Sequence, residues 1–274
     1  MSDKSQRFNE IIKGYESVVI GFSGGVDSTL VAKVSFDTLG EENVWLVTGK
    51  SESMMPEELE YCKDMADWLH IPKDHFVVIE TNELSDPNYS SNPTNRCYFC
   101  KQELFGKLKE LSSKLGAKCI VDGSNASDLA DYRPGSKAGE ELEVKTPLAE
   151  AGFSKDDIRE LAKKLGLPNW DKPSMPCLAS RIPYNSEVTS AKLNQIAEAE
   201  RLLRKLGFTQ FRVRHHDKIA RLEVDEINLM LENGMKDKIN EGLKKIGFTY
   251  VTVDLGGFKS GSLNINIEGN KQNG

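Results

Sequence analysis

The sequence predicts an α/β protein in which a parallel sheet carries helices on both faces, followed by a smaller C-terminal α+β domain. Two observations predict it. Short apolar runs alternate with amphipathic helical stretches through the first 170 residues, the rhythm of strand-helix-strand units. The rhythm then changes after Pro168, where a Pro-punctuated segment, Lys172-Pro-Ser-Met-Pro-Cys-Leu-Ala-Ser-Arg-Ile-Pro-Tyr184, leads into a long helix and a second set of strands. The domains are accordingly placed at 1–170 and 171–274.

Taken in order, residues 17–21 form an apolar strand closed by a Gly-rich turn, and a helical pattern follows over 28–39. Strand 44–48, helix 56–69, strand 75–79 and helix 101–115 repeat the beat. Residues 119–122 read as a fourth strand, and 154–165 as a helix opened by Ser154 with Asp157 three residues on, a capping pair. In the second domain a helix over 190–206 precedes strands 211–215 and 220–224, a helix over 225–246 and a strand over 250–255. From Gly256 the chain is rich in Gly, Ser and Asn and is expected to be loosely held.

Composition narrows the function classes. With 274 residues, 38% hydrophobic and 28% charged, and no biased tract, the chain is a globular protein with a core of its own. Thirty-six Lys plus Arg against 42 Asp plus Glu give a formal charge of -6, and no long cationic block is present. That argues against a nucleic-acid partner. No apolar stretch approaches the roughly 20 residues that cross a bilayer, and the N-terminus lacks a signal-peptide core, so a cytoplasmic protein with no membrane partner is expected. Five cysteines, an odd number thinly spread, favour metal or thiol chemistry over a disulfide framework.

The most informative stretch is Gly21-Phe-Ser-Gly-Gly-Val-Asp-Ser28, directly after the first strand. Gly24 and Gly25 allow a tight turn with exposed N–H groups, Ser23 and Ser28 add hydroxyls, and the following helix points its positive end at the same place. This is a cradle for phosphate. It is not a Walker A loop, since Gly49-Lys-Ser51 has Val44 where the first glycine belongs. Ser23 to Ser28 resembles the pyrophosphate (PP) loop of the N-type ATP pyrophosphatase superfamily, whose members cleave ATP between the α and β phosphates. The resemblance implies that Ser23, Gly24, Gly25, Val26, Asp27 and Ser28 hold the pyrophosphate side of ATP, with Asp27 near Mg2+. A second segment, Asp122-Gly-Ser-Asn-Ala-Ser-Asp128, follows the fourth strand, at the sheet end where open α/β folds bind ligands. It reads either as a polar turn capping a helix or as a nucleotide contact. Resemblance to the superfamily's Asp-Gly-Thr-Asn stretch favours the second, with Gly123 admitting the nucleotide and Asp128 supporting Mg2+.

Cys97-Tyr-Phe-Cys100 is a C-x-x-C without the second pair or the His spacing that a structural zinc needs. Cys177, in the interdomain segment, is the candidate third partner. Three thiolates suit a [4Fe-4S] cluster with one iron left open to a non-protein sulfide. Cys62 and Cys119 fall at core positions. On strand 211–215, alternation puts Arg212 and Arg214 on one face, either a clamp for phosphate or carboxylate or a solvated charged edge. Glu200 lies in register with Leu193, Ile196 and Leu203, as a boundary residue or an inward catalytic carboxylate.

Together, Ser23 to Ser28, Asn95-Arg-Cys-Tyr-Phe-Cys-Lys101, Asp122 to Arg133, Pro176-Cys-Leu-Ala-Ser-Arg-Ile-Pro-Tyr184, Arg212-Val-Arg214 and the Gly256-Gly-Phe-Lys-Ser-Gly-Ser262 tail resemble the LarE family over nearly the whole chain. That family comprises the ATP-dependent sulfur transferases of nickel-pincer nucleotide cofactor synthesis. The resemblance implies adenylation of a carboxylate of pyridinium-3,5-biscarboxylic acid mononucleotide, then displacement of AMP by sulfur. In one branch a single cysteine matching Cys177 is sacrificed as donor. In another, three cysteines hold a [4Fe-4S] cluster, and Cys97, Cys100 and Cys177 resemble that branch. Cys177, Glu200, Arg212 and Arg214 take catalytic roles by the same resemblance, and Ser180, Arg181, Arg212, Arg214 and Lys259 bind substrate. Lys259 stands where the family has arginine, which keeps the charge and loses the bidentate fork. A small-molecule nucleotide substrate, a homo-oligomer and transient contact with other proteins of nickel-pincer synthesis are the partners implied. The competing readings are a tRNA-thiolating ATP pyrophosphatase and a nucleotide sensor.

Overall fold

A computed structural model describes residues 3–129, 134–232, 234–259 and 262. Helix α1 (Asp3–Lys13) leads into strand β1 (Val18–Gly21), helix α2 (Val26–Leu39), strand β2 (Val44–Lys50), helix α3 (Pro56–Trp68) and strand β3 (Phe76–Glu80). A single turn, α4 (Pro87–Ser90), precedes helix α5 (Arg96–Leu115) and strand β4 (Cys119–Val121). Then come α6 (Ala126–Leu129), α7 (Pro134–Glu141), α8 (Pro147–Glu150), α9 (Lys155–Lys164) and α10 (Ser190–Lys205). Strands β5 (Phe211–His216) and β6 (Ile219–Val224), helix α11 (Met235–Lys245) and strand β7 (Tyr250–Val253) complete the order.

The chain divides into two units, 1–83 with 95–175, and 84–94 with 176–274. The sequence boundary at 170 passes over the excursion of residues 84–94. Those residues are tied into the second unit by Asn92, whose side-chain amide donates to the carbonyls of Pro183 at 2.8 Å and Ser186 at 2.9 Å.

In the first unit four parallel strands lie in the order β3-β2-β1-β4. Period-2 alternation sorts their side chains: Val18, Ile20, Val44, Leu46 and Val121 join the core formed with α1, α2, α3 and α9, whereas Val19, Val47 and Ile120 join that with α5 and α7. Both faces are therefore covered by helices, as the sequence predicts. Strand order reverses between β1 and β4, so the crevice for a ligand opens at their carboxyl ends.

The second unit is a three-stranded mixed sheet, β5-β6 antiparallel and β6-β7 parallel. Its core joins Ala199 and Leu203 of α10 and Ile239 and Leu243 of α11 to Phe211, Val213, Ala220, Leu222 and Val224 of the sheet. The single helix expected over 225–246 is instead a short 3-10 turn, Ile227–Leu231, and α11: the turn ends where Glu232 becomes extended, and Gly234 adopts the left-handed conformation (φ 72°) at the start of α11. Helix α5 begins at Arg96, five residues before the expected start, and so takes in the C-x-x-C. The N-terminal helix α1 is an element the sequence pattern does not announce. It buries Phe8 and Ile12. Helix α9 carries the expected capping box of Ser154 and Asp157. Most of the tail expected to be loosely held lies outside the described residues.

Candidate active site

The loop after β1 is held in shape by its own hydroxyls. Ser28 Oγ donates to the Gly25 carbonyl at 3.1 Å, accepts from the Ser23 N–H at 3.3 Å and lies 3.2 Å from Ser23 Oγ. Gly24 has φ 65°, and a β-carbon there would stand 3.2 Å from both Cys62 Sγ and a Tyr61 ring carbon. Glycine is thus required twice over, by conformation and by the floor beneath it. Ser23 is exposed while Ser28 is buried, and α2 begins at Val26, so the helix N-terminus and the N–H groups of 23–26 share one place. Asp27, on the first turn, receives both hydrogen-bond contacts of Lys155 Nζ at 2.7 Å.

The second segment abuts the first. A β-carbon on Gly123 would lie 2.9 Å from the Ser28 nitrogen and 3.1 Å from its Cα. Gly123 therefore serves the close approach of two backbones, at the place where the sequence reading expects it to admit the nucleotide. Asp122 is buried, accepts from the Ser124 N–H at 2.7 Å and pairs with Lys101 at 3.1 Å. Burial works to raise the Asp122 carboxyl, and Lys101 with the Ser124 hydrogen bonds outweighs it, holding the carboxyl below its ordinary range. Asp128 accepts from the Asn125 N–H at 3.1 Å while the Asn125 side chain accepts from the N–H groups of Ser127 and Asp128, a reciprocal cap on α6. Residues 130–133 of the motif lie outside the described residues.

Cys97, exposed, lies on the first turn of α5 and half-buried Cys100 at the start of the second, three residues apart and so on one face. Both belong to the first unit, and exposed Cys177 belongs to the second. Among the described residues no group of three His, Cys, Asp or Glu side chains is assembled as a metal site. Cys62 is fully buried, and burial pushes its thiol up to about 11. Cys119 is half-buried beside the same core.

The second unit carries a built charge network. Arg181, 1% exposed, makes a two-pronged pair with Glu200 at 2.8 and 2.9 Å and donates to the carbonyls of Pro176 and Cys177 and to Ser180 Oγ. Glu200 Oε1 also accepts from the Val213 N–H at 3.3 Å. Glu200 is thus an inward carboxylate, and its oxygens hold Arg181, which in turn holds the main chain on both sides of the Pro176–Cys177 bond. Arg214 donates to the Ser180 carbonyl at 2.9 Å and pairs with fully buried Glu223 at 2.7 Å, and Ser262 Oγ donates to the other Glu223 oxygen at 2.8 Å. The solvated charged edge is therefore excluded for Arg214, which is 5% exposed. Arg212 lies 4.9 Å over the Phe258 ring, and burial, aided by Arg181, pushes its guanidinium below the ordinary range. Lys259 is exposed beside Phe258. Sequence reasoning missed Glu223, Lys155 and Asn169, whose partners are distant in the chain.

Comparison with known proteins fits this geometry. The NAD synthase family matches residues 8–101, from α1 through the phosphate loop to the C-x-x-C. An uncharacterized protein of Synechocystis is 43% identical over 266 residues, 96% of this chain and 98% of its own. Pyridinium-3,5-bisthiocarboxylic acid mononucleotide synthase of Lactiplantibacillus plantarum is 38% identical over 253 residues, 92% of this chain and 91% of its own. The chain belongs to the LarE family. It is an ATP-dependent sulfurtransferase of the PP-loop kind. An NH3-dependent NAD+ synthetase of Chlorobaculum tepidum is 28% identical over 172 residues, 60% of this chain and 60% of its own. No described helix is long and apolar enough to cross a membrane.

Proposed function

We propose that the protein adenylates a carboxylate of pyridinium-3,5-biscarboxylic acid mononucleotide and replaces its oxygen by sulfur, once for each carboxylate, on the way to the nickel-pincer cofactor. The observation that carries the reading is the hydroxyl-braced phosphate loop at the switch point of a chain 38% identical to a synthase of the bisthiocarboxylate.

A carboxylate is a poor electrophile because oxide would have to leave. Attack of its oxygen on the α-phosphorus of ATP gives an acyl-adenylate and releases pyrophosphate. Ser23, Gly24, Gly25, Val26, Asp27 and Ser28 bind the departing pyrophosphate through main-chain N–H groups and hydroxyls. Asp27 and Asp128 would be the carboxylates to hold magnesium, which would supply neutralisation of the phosphate charge. A sulfur nucleophile then attacks the acyl carbon, AMP leaves, and a thiocarboxylate remains. Cys97 and Cys177, both exposed, and half-buried Cys100 would be the thiols to hold a site-differentiated [4Fe-4S] cluster, which would supply the sulfide. Arg181 and Glu200 fix the backbone that carries Cys177, and Ser180, Arg212, Arg214 and Lys259 orient the substrate phosphate and carboxylates. The working unit in this reading is a homo-oligomer in transient contact with other proteins of the same synthesis.

Cys177→Ala is expected to abolish sulfur incorporation while leaving ATP binding intact, measured by mass of the nucleotide product. Undiminished thiocarboxylate formation by that variant would overturn the reading. Anaerobic purification is expected to yield about four irons and four sulfides per chain, lost in Cys97→Ala. Absence of iron under those conditions would transfer the donor role to the Cys177 thiol itself.

A further inference from the structure

Asn169 lies beyond every motif described above, yet it is 1% exposed and touches the phosphate loop from 145 residues away. Its amide nitrogen donates to the Gly24 carbonyl at 3.0 Å and to Thr29 Oγ1 at 2.9 Å. Both of its N–H bonds are thereby used, and the Gly24 contact fixes which end of the carboxamide faces the loop, since a carbonyl accepts only from the NH2 end. The turn around it is anchored separately. Lys172 lies 3.3 Å from the Tyr61 ring centre and pairs with Glu58 at 3.9 Å, and Tyr61 is one of the two residues that floor Gly24.

The Gly24–Gly25 peptide is trans and planar, so its carbonyl and its N–H point in opposite directions. A carbonyl drawn inward by Asn169 leaves the Gly25 N–H directed to the side of exposed Ser23, where its contact is the 3.4 Å approach to Ser23 Oγ. Glycine on both sides makes this peptide the one most free to flip.

We propose that Asn169 is a positioning residue of the ATP site, which locks the Gly24–Gly25 peptide in the orientation that presents the Gly25 N–H to the pyrophosphate of ATP. The proposal rests on the reading of this loop as the phosphate site. Asn169→Asp keeps the shape and removes the donor, setting a carboxylate against the Gly24 carbonyl. It is expected to weaken binding of magnesium pyrophosphate, measured by calorimetry, roughly tenfold to a hundredfold. The KM for ATP rises with it while the KM for the acceptor nucleotide is unchanged. Thr29→Val removes the second contact alone and is expected to change pyrophosphate affinity less than about threefold. In the native protein, magnesium pyrophosphate is expected to slow hydrogen exchange at the Gly25 amide, a readout that needs no variant to fold. Binding by Asn169→Asp equal to the native protein, or unchanged Gly25 exchange on pyrophosphate binding, would overturn the proposal. Absence of pyrophosphate and ATP binding by the native protein would instead remove the reading of the loop on which it rests.

Discussion

The phosphate loop of the first unit is assembled from main chain and hydroxyls, whereas the arginine site of the second unit is assembled from side-chain charges that already neutralise one another. Around Ser23 to Ser28 the groups that would meet an anion are N–H donors at a helix start. Around Arg181 and Arg214 the guanidiniums are spent on Glu200, Glu223 and backbone carbonyls. The first arrangement leaves little room for a side chain at Gly24 and balances the one carboxylate it carries, Asp27, against Lys155. The second stores charge and positions the backbone next to Cys177. The difference teaches that what an arginine offers an anion depends on which acids the fold sets against it: Arg214 would meet a substrate with Glu223 already beside it.

That contrast can be broken at either end. The largest effect is expected from Glu200→Ala, which leaves a buried guanidinium without its counter-charge. Unfolding by denaturant should show a loss of about 3–5 kcal/mol, and a loss under about 1 kcal/mol would mean that the network is not the framework described. Next is Gly123→Val, which forces the Ser28 backbone away and should raise the KM for ATP roughly tenfold to a hundredfold with little effect on the second unit. A normal KM there would show that the two backbones need not touch. The smallest effect concerns neither site. Lys4 and the Ser154 cap hold the Asp157 carboxyl down to about 2, below the unfolded value near 3.9. A depressed carboxyl stabilises above its unfolded value, and the contribution disappears as pH falls from there through about 2. Asp157→Ala should cost about 1 kcal/mol at neutral pH and flatten the acid limb of the thermal midpoint between pH 4 and 2. An unchanged acid limb would move the acid sensitivity to the buried pairs of the second unit, sharpening their role.

The parallel sheet was legible because each strand is a short apolar run whose alternate residues serve two cores, and because Gly24 and Gly25 mark the tight turn that ends in a helix start after β1. The capping box at Ser154 was legible because its partners are three residues apart. Contacts that close over long stretches of chain were not. Asn169 and Gly24 are separated by 145 residues, Arg214 and Ser262 by 48, and neither spacing leaves a periodic trace. The helix break before Gly234 shows a different failure: the apolar pattern continues past it, while the backbone turns extended at Glu232 and left-handed at Gly234, where α11 starts afresh. Gly123 illustrates a third, in which the residue was singled out but the Ser28 backbone beside it was not, since a sequence does not say which chain segment packs against a glycine.

The excursion of residues 84–94 means that the polypeptide passes from one unit to the other three times, between 83 and 84, 94 and 95, and 175 and 176. The two units are therefore not separable modules. A fragment ending at residue 175 would carry Tyr89 and Asn92, both buried in the whole chain, without the second-unit backbone that Asn92 holds. Neither half is a gene-sized cassette that could be borrowed, swapped or expressed by simple truncation. Any transplant of the second unit onto another protein has to splice in two places, and the resumption point at Asn95 is two residues before Cys97.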